Sequence, residues 1–446
     1  MLFALIFLAV VLIVVLTMKF KIHPMLSLLF GALFLGFTSG MELSVLLNSI
    51  KTGFSSIMGG IGLVIVFGTI IGTILEKTGA ALRMAEVVLR IVGPKRPQLA
   101  MTMIGYIVSI PVFCDSGFII LNSLRKALGQ KAKVALASMS VALATGLYAT
   151  HTLVPPTPGP IAAAGNIGAE SYLGTVILIG LIVAIPTALV GYIWAMKVAT
   201  KIEVSDDGIE YNYEEIVKSF GEMPSAFKAF LPIIAPIALI GISSIVSIVG
   251  MTGSVANFLI FIGDPAIALL IGVLCAFLLL PKFNEETLTK WVGKGLVDSA
   301  PILLITGAGG VFGTVIKNAG IQEVIQGWNL QDTFTGVLFL IIPFLIAAAL
   351  KTAQGSSTTA LVITSSLVAP ILPMMGIEGA VPLALVVMAI GAGAMTVSHV
   401  NDSFFWVITE FSGMKVKDAY KAQTMATLLQ GFTTIITTMI LWMLLV

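Results

Sequence analysis

Long apolar runs, interrupted at a few places by small polar knots, dominate this chain. A membrane span needs roughly 20 mainly apolar residues. The pattern predicts such spans at about 2–18, 24–41, 57–76, 134–169 and 171–197, and again at about 229–249, 264–281, 297–317, 380–411 and 424–446. The fourth span of each set is broken internally by polar residues and prolines. Between the third and fourth spans of each set lies a further apolar stretch, about 98–128 and about 335–373, with a polar knot at its middle. Both stretches read as helical hairpins that enter the membrane and return, because non-helical backbone at that depth survives only inside protein or beside a water-filled cavity. The alternative is that each crosses fully.

The two sets say the same thing twice. Gly72-Thr73-Ile74-Leu75-Glu76-Lys77-Thr78-Gly79 is answered by Gly313-Thr314-Val315-Ile316-Lys317-Asn318-Ala319-Gly320, a shift of 241 residues. The same shift carries Pro24 onto Pro265 and Asp115-Ser116 onto Ser356-Ser357. The expected organisation is therefore a first repeat over 1–200, a polar linker over 201–228 and a second repeat over 229–446. A duplicated membrane unit with polar breaks at corresponding places reads as a secondary transporter with its site at the repeat interface. Glycine pairs such as Gly68 and Gly72 read as sites of close helix packing.

Composition narrows the class. With 58% hydrophobic and 10% charged residues, against a usual charged share of about a quarter, the chain reads as an all-α polytopic membrane protein. The net charge of +2 and the absence of a dense Lys/Arg block exclude nucleic acid as a partner. Cys114 and Cys275 show no disulfide or metal spacing, and neither a metal nor a cofactor is expected. The run from Leu2 to Thr17 has basic residues only after it, at Lys19 and Lys21, the reverse of a signal peptide. It reads as a retained first span with its N-terminus outside.

That orientation places Lys19, Lys21, Lys77 to Arg96, Arg125 to Lys133, Lys282 to Lys294 and Lys415 to Lys421 inside. Chiefly Lys51 and Lys317 are left outside, in keeping with the positive-inside rule. Five crossings per repeat is an odd number, so the second repeat runs inverted and the C-terminus also lies outside. The expected location is a bacterial inner (plasma) membrane.

Four polar knots carry the candidate chemistry. The first is Phe113-Cys114-Asp115-Ser116-Gly117 in the first hairpin. An ionised Asp at the bilayer centre costs on the order of 2.5–3.5 kcal/mol, so Asp115 should face a cavity or a partner, unless it merely shapes the tip. The second is Lys351 to Thr358 in the second hairpin, where Gly355 permits a tight turn. Ser356, Ser357 and Thr358 there open the returning helix, whose free N–H groups suit a carboxylate. Lys351 is either a charge partner for substrate or Asp115, or a side chain reaching toward the surface.

The third knot runs from His151 to Pro160. Pro155, Pro156, Pro158 and Pro160, with Gly159, cannot continue a helix, so the span unwinds beside Thr157. The fourth is Ser398-His399-Val400-Asn401-Asp402-Ser403, in the corresponding break of the second repeat, with Asn401 and Ser403 as candidate substrate contacts. His151 and His399 thus occupy matching breaks, 248 residues apart. Asp115, His151, His399 and Asp402 are the candidates for proton coupling.

At these knots the chain resembles the gluconate permease family of proton-coupled symporters, within the broader ion transporter superfamily. The resemblance runs from about Lys21 to the C-terminus. It is most specific at Val154-Pro155-Pro156-Thr157-Pro158-Gly159-Pro160 and Ser398-His399-Val400-Asn401-Asp402. It implies import of small hydroxylated carboxylates, such as gluconate and related sugar acids, glycerate or D-serine, driven by protons. It further implies a homodimer in which a mobile unit moves against a scaffold like an elevator. The chain departs from gluconate-type members at three points. Cys114-Asp115-Ser116-Gly117 stands where they resemble FEVG, Thr157 where they carry His, and Lys351 where they carry Arg. The last change loses a bidentate fork for a carboxylate.

Sodium coupling is the rival within transport, since unwound carbonyls with Ser, Thr, Asn and Asp oxygens also hold a hard cation. An amino-acid permease of the same family is a second. An intramembrane enzyme lacks support, because no HExxH motif or nucleophile elbow accompanies the polar residues. A channel usually builds its pore from several subunits.

Overall fold

The computed structural model describes residues 2–93, 95–204, 223–320 and 336–446, and every regular element among them is a helix. Most of the expected 201–228 linker lies outside the described residues. In chain order come α1 (Leu2–Met18), α2 (Pro24–Thr38), α3 (Leu43–Ile57), α4 (Leu63–Lys77), α5 (Ala80–Val92), α6 (Pro97–Val108), α7 (Cys114–Ala132), α8 (Leu136–Leu153), α9 (Pro158–Asn166) and α10 (Leu173–Lys197). They are followed by α11 (Ala226–Val249), α12 (Ser254–Ile262), α13 (Pro265–Phe277), α14 (Val292–Asn318), α15 (Ile341–Gln354), α16 (Ser357–Val368), α17 (Ala380–Met395), α18 (Ser403–Ser412), α19 (Val416–Ala419) and α20 (Met425–Leu445).

Six helical stretches among the described residues are long and apolar enough to cross a membrane: Leu43–Lys77, Glu170–Lys201, Ala226–Ser247, Glu286–Asn318, Gly336–Gln354 and Val416–Leu445. A seventh candidate is the pair α12 and α13, bent by 65°. The expected spans 2–18 and 24–41 are helices of 17 and 15 residues. The expected span 57–76 proves to be the second half of a 35-residue stretch. A π-turn at Met58–Gly62 carries the helix through its glycines, and α3 precedes it. Because α3 buries Leu46, Ser49, Gly53 and Ile57 while Lys51 and Thr52 are exposed, its amphipathic pattern falls below a simple hydropathy signal. The same applies to α5, which buries Ala81, Met84, Ala85 and Val88 and pairs Arg83 with Glu86 at 2.6 Å on its other face.

The stretch at 98–128 folds as α6 and α7 around a tip at 109–113, where the Ser109 hydroxyl donates to the Val112 carbonyl at 2.9 Å. The stretch at 335–373 folds as α15 and α16 around Gly355, which adopts φ +85°. A Cβ at Gly355 would collide with the Asn401 carbonyl, so this turn admits only glycine. The helical runs at 134–169 and 380–411 are interrupted at 154–157 and 396–402. At the second interruption Val397 has φ +52°, an outlier for a β-branched residue. Its neighbour Ser398 is pinned on both sides by α20 and the residue just before it: Thr427 accepts from the Ser398 N–H at 3.1 Å and Thr424 donates to its carbonyl at 2.6 Å.

Two glycines on α4 receive the backbone of the first half's irregular segments. Cβ atoms there would lie 2.8 Å from the Pro156 carbonyl at Gly68 and 2.5 Å from the Pro111 carbonyl at Gly72. The corresponding glycines of α14 meet a different partner. Gly309 lies against the Ser366 hydroxyl and Gly313 against the Ser366 carbonyl, near the far end of α16.

Candidate substrate site

Four short irregular segments converge, and from each a helix sets out with its N-terminus at the junction: α7, α9, α16 and α18. No side chain caps α7 or α9. Ser356 caps α16 by accepting from the Thr359 N–H at 3.2 Å, and Asp402 caps α18 by accepting from the Phe404 N–H at 3.1 Å. Free N–H groups and the positive ends of four helix dipoles therefore point at one region, the arrangement that favours an anion.

Charge is concentrated in the same place. Lys351, in the last turn of α15, is fully buried and donates to Asp402 Oδ2 at 2.7 Å and to the Gly355 carbonyl at 2.5 Å. Its third direction faces the Tyr148 ring, 5.7 Å from the centroid. Asp402 also accepts from the Ser398 hydroxyl at 2.5 Å. The ammonium is thus satisfied from three sides, as a charge taken out of water must be.

Asp115, in the first turn of α7, lies within electrostatic reach of both Asp402 and Lys351. Its Oδ1 is buried without a hydrogen-bond partner. His151, at the end of α8, is also buried with an unpartnered Nδ1, and its ring packs 5.9 Å from Phe113 of the first tip. Asp402 alone holds the ammonium, and the unpartnered atoms of Asp115 and His151 lie nearby. Among the described residues no three His, Cys, Asp or Glu side chains are grouped to hold a metal ion.

The sequence profile described as GntP family permease matches residues 1–445. The chain belongs to the GntP permease family. The gluconate permease of Pseudomonas aeruginosa is 31% identical over 92% of this permease and 91% of that protein. The D-serine transporter DsdX of Escherichia coli is 29% identical over 97% and 96%. Among solved structures, the YdaH transporter of Alcanivorax borkumensis superposes with a TM-score of 0.63 at 14% identity, covering 90% of this chain and 88% of that one. The last comparison concerns the fold alone. The permease is accordingly a multi-pass membrane transporter and not an enzyme.

Within the permease, Asp115, His151, Lys351 and Asp402 form one buried neighbourhood. Ser357 joins it through a 2.7 Å hydrogen bond to the Tyr148 hydroxyl, and the Tyr148 ring stacks 5.3 Å from Phe404 of α18. Thr358 lies 3.7 Å from where a Gly159 Cβ would be, so the second tip touches the first break. Thr157 is buried, with its hydroxyl donated to the Val154 carbonyl.

His399, Asn401 and Ser403 stand apart from the buried charges. His399 Nε2 and Asn401 Nδ2 both engage the Thr352 carbonyl, at 2.8 and 2.9 Å, and Ser403 is exposed. Sequence reasoning passed over Tyr148, which sits in an apolar helix with nothing local to mark it. It counted Arg125 only among the inside charges. That side chain is fully buried and ties α7 to α8 through Ser140 Oγ at 2.7 Å and to α18 through the Phe411 carbonyl at 3.1 Å.

Proposed function

We propose that this permease imports a small hydroxylated carboxylate, a sugar acid or a shorter hydroxy acid such as glycerate, by proton symport. The observation that carries the reading is the buried Lys351–Asp402 pair beside Asp115, whose Oδ1 has no partner, at a junction of helix N-termini. An ammonium held by a carboxylate in a desolvated site can exchange that carboxylate for another.

A proton arriving on Asp402 removes the charge that holds Lys351, and the carboxylate of the substrate takes its place against the same ammonium. The free N–H groups of α7 and α16 supply further donors to that carboxylate, while Tyr148 and Ser357 are placed to meet its hydroxyl groups. Asp115 and His151 are the remaining titratable groups facing the exchange, with Cys114 and Tyr148 on the same helices. With both carboxylates and Lys351 charged, the cluster carries one negative charge in excess.

The relatives transport gluconate and D-serine by name, which supports a small carboxylate bearing hydrogen-bond donors as the class. The repeated sequence pattern and the two hairpins support inverted repeats with an elevator-like motion in a homodimer. The inner-membrane location and outward termini rest on the distribution of Lys and Arg.

The deciding experiment is uptake into proteoliposomes of labelled gluconate, glycerate, lactate and D-serine under an inward proton gradient, with and without sodium. Accumulation of one acid, abolished by a protonophore, is the expected result. Accumulation that follows sodium and ignores the proton gradient overturns the coupling. Asp402→Asn should lose pH-dependent uptake while substrate exchange persists; unchanged pH dependence in that variant removes Asp402 from the role.

A further inference from the structure

A second polar cavity, of about 290 Å³, lies away from the buried charges, between α3, α9, α14 and α16. Its size is at the small end of pockets that take metabolites. Ser56, Asn166, Glu170, Thr314, Lys317 and Ser366 supply its polar lining.

Asn166 Nδ2 donates to Ser365 Oγ at 2.9 Å, to Ser366 Oγ at 3.0 Å and to the Val362 carbonyl at 3.2 Å. Both serine hydroxyls spend their own protons on that carbonyl. Three acceptors therefore fix the amide's orientation, and Oδ1 of this lining residue is buried without a partner. Glu170 adds a second buried, unpartnered oxygen, Oε2. The helices that border this space, α9, α14 and α16, all end there, so their C-terminal carbonyls and negative dipole ends face it. Its polarity is the reverse of the central junction, where helices begin. Lys317, on the last turn of α14 and exposed to solvent, is the one cation in the lining.

We infer that this cavity is a second binding station for the transported class, and that it selects molecules carrying both a carboxylate and hydroxyl or ammonium donors. The inference rests on the substrate class proposed above. The donor groups enter toward Asn166 Oδ1 and Glu170, and the carboxylate remains at Lys317, kept from the interior by the three helix C-termini. A simple carboxylate satisfies Lys317 alone, and a neutral polyol leaves Lys317 unmatched.

The test places Ser56→Cys at the exposed edge of the cavity in a Cys275→Ala chain, with the same chain lacking Ser56→Cys as control for Cys114. Maleimide labelling is followed in detergent, where both faces are accessible, with gluconate, glycerate, D-serine, propionate or sorbitol added. At least one of the first three should slow labelling several-fold, and propionate and sorbitol should not. The slowing should persist in Lys351→Met/Asp402→Asn, which removes both members of the central charge pair together, and should vanish in Glu170→Gln and in Lys317→Ala.

If none of the acids slows labelling, the inference fails. It also fails if slowing disappears with the central pair and is indifferent to Glu170 and Lys317, since occupancy of the central site then accounts for the effect. Neither outcome touches uptake by the wild-type protein. Absence of uptake with protection intact would instead sink the central reading and leave this one standing.

Discussion

At the scale of residues, the buried ammonium of Lys351 decides most of what the site can do. Removing only one member of a buried pair leaves an uncompensated charge, which costs about 3–5 kcal/mol. Lys351→Ala should therefore lower the unfolding temperature of the detergent-solubilised protein sharply. Lys351→Met combined with Asp402→Asn should recover much of that loss while remaining inactive in coupled uptake. If the double variant melts as low as the single one, the pair is not the seat of the energy. Tyr148→Phe is a finer probe. It deletes the hydrogen bond to Ser357 and leaves the ring against Phe404, so it should cost about 1 kcal/mol and weaken apparent substrate affinity; unaltered uptake kinetics would dismiss the hydroxyl.

At the scale of elements, the interruptions matter more than the helices. Gly355→Ala forces a side chain toward the Asn401 carbonyl in a left-handed conformation that already costs an L-residue about 1–2 kcal/mol. The variant should insert into the membrane yet lose transport, as measured by uptake normalised to surface expression. Normal uptake would show that the second tip and the 396–402 segment can part.

These interruptions were the legible part of the chain. The prolines from 155 to 160 lack the N–H groups a helix needs, and Gly355 announces a turn, so both are written locally. The pairing of Lys351 with Asp402 was not legible, because it joins residues 51 apart through a tertiary approach that no local pattern encodes. Tyr148 is hidden in the same way, by a partner 209 residues distant. The positions of His399 and Asn401 depend on which side of a loop faces the Thr352 carbonyl, which residue type does not determine. Amphipathic α3 and α5 were missed because half of each is polar, and hydropathy averages the two faces.

At the scale of the whole molecule, the corresponding glycines of the two halves are not in corresponding contacts. Gly72 holds the carbonyl of the first tip, whereas Gly313 holds Ser366 beyond the second. Under the inverted-repeat reading, the residue that matches Pro111 is Thr352, and the proposed elevator motion predicts a mirrored arrangement, with Gly313 beside Thr352, at the other end of the stroke. Cysteines placed at Gly313 and Thr352 should cross-link under oxidising conditions during turnover, arrest uptake and release it on reduction. A pair that never cross-links in active protein counts against that motion.

The notches at Gly68 and Gly72 carry one more consequence. What they grip is main chain, the carbonyls of Pro156 and Pro111, and a peptide carbonyl is the same whatever side chain stands next to it. Under the proposed elevator motion, that surface is therefore blind to the identity of Asp115, Ser116 or Thr157 a few residues away. On that reading, mutation can retune what is carried while leaving the track on which it is carried untouched.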